Sequence, residues 1–82
     1  MKAHPATPDP WQADVLSAIR ERGLAEKRLL VPHDEVPVLH YYFPRARLQG
    51  YMEDREPVEG VKIDGADAVL HTGLPVRIEV VR

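Results

Sequence analysis

The sequence predicts an α+β domain: one N-terminal helix packed on a curled, mostly antiparallel sheet of four to five strands, with a small open barrel as a variant of the same arrangement. Three observations carry this. Apolar residues recur at helical spacing after Pro10, the pattern changes to a period of two after Pro37, and an Asp-Gly pair at 64–65 interrupts an alternating run.

The helix has both of its ends written locally. Asp9 is placed as N-cap, Pro10 suits the first helical position, and Gln12 stands three residues after the cap, as in a capping box. Trp11, Val15 and Ile19 recur at i, i+4 and i+8, and Leu16 and Ala18 widen the stripe. Gln12, Asp14, Ser17, Arg20 and Glu21 fall mostly opposite. Gly23, following the basic Arg22, supplies a left-handed stop. Residues 1–9 hold Pro5 and Pro8 and no large apolar side chain after Met1, so they are expected to form a flexible arm, with residues 10–82 as a single domain.

The remaining elements read as strands. "RLLVP" (28–32) is short, apolar and closed by a proline. "PVLHYYF" (37–43) is rich in β-branched and aromatic residues, and Pro37 suits a strand start. With "ARLQGYME" (46–53) returning across "PRA", it is expected to form a hairpin. Leu39, Tyr41, Phe43, Leu48 and Met52 would line its inner face. "EDREPVE" is an acidic loop, too charged to be buried unpaired. Asp64-Gly65 predicts a type I′ turn that sets Ile63 opposite Ala66, Lys62 opposite Asp67 and Val61 opposite Ala68. "VRIEVV" (76–81) ends the chain with Val76, Ile78 and Val80 inward and Arg77 and Glu79 outward. This last strand has little edge protection beyond its two charges, so it is a candidate for pairing with another chain or with its own copy.

Composition narrows the function classes. Eleven basic against thirteen acidic residues leave a net charge of −2, which supplies no global attraction to nucleic acid or anionic lipid. There is no cysteine, hence no disulfide, thiol nucleophile or Cys-type zinc site. With no apolar run of membrane-spanning length, the expected location is cytoplasmic and no membrane partner is expected. An 82-residue chain has a thin core, so burial against a partner is a natural source of added stability.

Chemistry-bearing residues cluster at "HDEVPVLHYYF" (33–43). His33, Asp34, Glu35 and His40 are candidate ligands for zinc, iron or manganese, the basis of an alternative reading as a metal-dependent enzyme. Against it, the two histidines are seven residues apart across Pro37, without HxH or HExxH spacing. Ser17, Thr7 and Thr72 lack a nucleophile setting, and no glycine loop cradles a phosphate. The expectation is therefore no cofactor and no catalysis. The outer face of the proposed hairpin is the better lead. His40, Tyr42, Arg47, Gln49 and Tyr51, with Arg45 at the turn, would mix aromatic, guanidinium and amide groups, as protein interfaces do. The same set could stack bases, but the adjoining "EDRE" opposes a phosphate, so nucleic-acid binding ranks below protein–protein interaction.

Overall fold

The computed structural model describes residues 9–58, 60, 63 and 65–81. Its first element, α1 (Pro10–Glu21), is bounded as the sequence expects. The Asp9 carboxylate accepts from the Gln12 backbone N–H at 2.7 Å, and the Gln12 side chain accepts from the Asp9 N–H at 3.1 Å. At the other end Gly23 has φ +68°. Leu24 N–H reaches Ile19 O at 2.9 Å and Gly23 N–H reaches Arg20 O at 3.3 Å, so the last carbonyls are satisfied by a Schellman turn.

The order continues with β1 (Arg28–Pro32), a 3-10 turn (His33–Glu35), α2 (Val36–Tyr42), β2 (Arg47–Tyr51), a second 3-10 turn (Glu53–Arg55), β3 (Ala68–His71) and β4 (Arg77–Val80). The four strands form one sheet in the order β2-β1-β3-β4. β1 runs parallel to both neighbours, with Leu29 beside Leu48 on one side and beside Ala68 on the other, and only β3–β4 is antiparallel. The α+β class holds, but among the described residues there are two α-helices, and the sheet is mixed and open instead of mostly antiparallel or barrel-like.

The difference originates at residues 36–43, which are not a strand. Pro37 lies in the first turn of α2, where a missing N–H costs no intrahelical bond. Val36, Leu39 and Phe43 then recur at i, i+3 and i+7 and pack inward, while Tyr41 is 63% exposed. With this segment helical, the stretch 33–46 becomes a crossover. A crossover returns the chain in the same direction, so β2 lies parallel to β1 and the expected hairpin does not exist.

Both helices cover one sheet face. Val15, Leu16 and Ile19 of α1 and Leu39 and Phe43 near α2 enclose Leu29, Val31, Ala68 and Leu70, and the Arg20 guanidinium lies 5.6 Å from the Phe43 ring. The opposite face carries a smaller cluster of Leu30, Tyr51 and Val69, joined by Ile63, Ala66 and Val81. Central β1 and β3 are thus buried on both sides, as parallel strands usually are. The expected arm falls mainly on residues 1–8, and the expected 60–68 hairpin depends on Val61, Lys62 and Asp64; all of these lie outside the described residues. Asp67 itself is held by Arg28, whose guanidinium donates to its carboxylate at 3.3 Å. No helix among the described residues is long and apolar enough to cross a membrane.

Candidate functional site

Which backbone groups of β4 face outward follows from the ladder. Arg47 N–H donates to Lys27 O, so odd-numbered residues of β1 turn toward β2 and even-numbered ones toward β3. Ala68 and Leu70 of β3 therefore bond β1, leaving Val69 and His71 to bond β4 opposite Glu79 and Arg77. The bond from Val81 N–H to Asp67 O at 2.8 Å continues this alternation. It follows that Ile78 and Val80, and Val76 before them, direct their N–H and C=O groups away from the sheet. The Arg22 guanidinium donates to one of these groups, Ile78 O, at 3.3 Å.

Space accompanies this edge. A cleft of about 620 Å³ runs beside β4 between Arg22, Gly60, Val76, Arg77, Ile78 and Glu79. A second groove of about 310 Å³ separates α1 from β4, bordered by Asp14, Ser17, Pro75, Val76 and Ile78. Val76 and Ile78 pack on the main core as the alternation predicts, but Val80, expected inward, is 45% exposed at its margin. The charged residues alternate with these: Arg77 and Glu79 project from the other face.

That other face holds a buried histidine, the one buried polar or charged residue besides Tyr51 among the described residues. His71 is 1% exposed, with Nδ1 3.1 Å from Glu56 and Nε2 3.2 Å from Glu79. Carboxylates only accept, so each contact is a hydrogen bond when the ring nitrogen facing that carboxylate carries its proton. Thr72 donates its hydroxyl to the other Glu56 oxygen, the Gly60 N–H donates to Glu79 at 2.6 Å, and Arg77 stands 3.9 Å from Glu56 while donating to Thr72 O. Two carboxylates, the imidazole ring and the Arg77 guanidinium thus meet in one cluster. The Thr72 bond is the main reason the Glu56 carboxyl sits below its usual pKa, with His71 adding to it. For Glu79 the Gly60 N–H acts first and His71 second. Because the glutamates lie on opposite sides of the ring, they do not converge on a common ion. Among the described residues no three His, Asp or Glu side chains do. Sequence pattern alone does not single out His71 as a site residue, although a histidine closing the apolar run "AVLH" is a visible signal.

The residues favoured from sequence are dispersed. Arg47, Gln49 and Tyr51 do share one face of β2, opposite Leu48, as alternation requires. Tyr51, however, is buried, and its hydroxyl donates to Leu70 O at 2.7 Å. His40 is exposed on α2, Tyr42 is half-buried against the main core, and Arg45 is exposed in the following turn. They belong to a different element from Arg47 and Gln49, because α2 replaces the strand that was to align them. His33 and Asp34 are exposed in the first 3-10 turn, and Glu35 accepts from the Gln12 side chain at 2.9 Å. Comparison with family models, curated proteins and solved structures finds no match to this chain, so its functional reading rests on its own geometry.

Proposed function

We propose that this chain is a small, non-catalytic protein-interaction module that captures an extended polypeptide along β4. The carrying observation is the edge itself: outward backbone groups at Val76, Ile78 and Val80 beside an open cleft of about 620 Å³. Added strands bind through main-chain hydrogen bonds and gain specificity from alternate side chains. Here Ile78 and Val80 would meet apolar partners on the helix-covered face, and Arg77 and Glu79 charged ones on the other. The His71 bridge supports a structural role for the most conspicuous polar cluster, since both ring nitrogens are engaged and the ring is enclosed.

The test is selection of binders from a library of displayed extended peptides, followed by Val80→Pro. Val80 N–H points away from β3, so proline removes a donor from the open edge and none from the internal ladder. Selected peptides should lose binding to Val80→Pro while its circular dichroism matches that of the parent. Peptides that bind both forms equally would show that recognition lies elsewhere.

A further inference from the structure

The order of residues along β4 specifies more than an open edge; it is complementary to itself. Antiparallel pairing of two identical edges must match outward residues with outward residues, which restricts the two-fold axis to a few registers. Centred on Glu79, it sets carboxylate against carboxylate; centred on Arg77, guanidinium against guanidinium. Like charges directly opposite disfavour both. Centred on Ile78, it sets Arg77 opposite Glu79 of the second copy, and Glu79 opposite Arg77, so two opposite-charge pairs form at once. On the helix-covered face the same register places Ile78 against Ile78 and Val76 against Val80. We propose that the occupant of the β4 edge is a second copy of this chain, paired antiparallel about Ile78. This rests on the strand-capture reading above and names its partner.

Surrounding features agree with that register. Val80, 45% exposed, would enter the groove of about 310 Å³ beside Val76 and Ile78 of the other copy. The cleft beside β4 provides room for the incoming backbone. Ile78 O would pass from Arg22 to the Ile78 N–H of the second copy, exchanging one 3.3 Å side-chain contact for a ladder bond. The other edge lacks the pattern: β2 carries Arg47 and no acidic residue to oppose it.

The experiment measures solution mass by sedimentation across a concentration series, for the parent chain, Arg77→Glu and Glu79→Arg. The parent is expected to pass from monomer to dimer, and each reversal to weaken the dimer by about tenfold or more, since symmetry turns both pairs repulsive. An equimolar mixture of the two variants should recover the parent's association, because one then carries two acids and the other two bases. A structural role for Arg77 or Glu79 within its own chain would not produce recovery on mixing. Because Glu79 also holds His71, a second route avoids it: Ile78→Cys in this cysteine-free chain should cross-link to itself, its paired Cα atoms being about 5.5 Å apart. A parent that stays monomeric to about millimolar concentration, the range of weak pairing, would overturn self-pairing, as would reversals that leave association unchanged or a mixture without recovery. Peptide capture sensitive to Val80→Pro would survive that result, which separates the failure of this register from failure of the edge as a binding site.

Discussion

At Pro32 the ladder between β1 and β3 runs out of donors, and a side chain from the far side of β1 makes good the loss. In the observed register Leu70 O faces the position where Pro32 has no N–H. Tyr51, on the last residue of β2, reaches across and donates its hydroxyl there at 2.7 Å. Burial, with Glu56 nearby, pushes this phenol's pKa well above its ordinary value, in keeping with a proton held as a donor. Tyr51→Phe keeps the ring and removes the hydroxyl, leaving a buried carbonyl unpaired. The expected cost is about 1–3 kcal/mol, read as a lower urea midpoint with an unchanged slope. An unchanged midpoint would mean that water replaces the bond at no cost. Alternation along the sequence correctly placed Arg47, Gln49 and Tyr51 on one side of β2. What it could not convey is that this side is covered at Tyr51 by Leu30 and Val69, residues distant in the chain. Period two assigns a side, and only the tertiary fold decides whether that side is wet.

The same distinction explains why α1 was legible and α2 was not. Both ends of α1 are fixed by neighbours within a few residues: Asp9 with Gln12, and Gly23 with Leu24. α2 has no side-chain cap, spans seven residues and is rich in strand-favouring types, so propensity points the wrong way and packing overrides it. The signal that was present is the spacing of Val36, Leu39 and Phe43, which a strand does not require. Substitution separates the two conformations cleanly. In a strand Leu39 and Tyr41 would share the inner face; in α2 Leu39 is fully buried and Tyr41 is 63% exposed. Leu39→Ala should therefore cost about 2–5 kcal/mol, whereas Tyr41→Ala should change stability by less than about 0.5 kcal/mol. Comparable losses at both positions, measured by denaturant unfolding, would contradict the helix. Gly50 tests its placement from the other side. A Cβ there would lie 2.9 Å from the His33 Cα, so Gly50→Ala should destabilise by about 1–3 kcal/mol through overpacking of the 3-10 turn on β2.

Across the whole molecule the two sheet faces are stabilised by different means, and this makes the protein's response to acid specific. One face is covered by two helices and an apolar core; the other has a small cluster and the Glu56–His71–Glu79 bridge linking the segment after β2 to β3 and β4. Thr72, Arg77, Gly60 and the buried Tyr51 surround that bridge, and both carboxyls are held below their usual pKa. In the unfolded chain both would titrate at about 4.3. A carboxyl lowered in the folded state contributes stability that is complete above its unfolded pKa and is lost as pH falls through the folded one. The contribution should thus be constant at neutral pH and decline below about pH 4.3, as protons bind first to the unfolded chain. Glu56→Gln combined with Glu79→Gln removes this titration while nearly preserving shape. Urea unfolding of parent and double variant from pH 7 to pH 3 should show the parent more stable at neutral pH and the gap narrowing in acid. A gap of equal size throughout would assign the loss to packing of the glutamate stems, and the second face would then owe nothing to charge. Narrowing would instead show that the two carboxylates fasten this sheet face, from which Glu79 also projects at the proposed pairing edge.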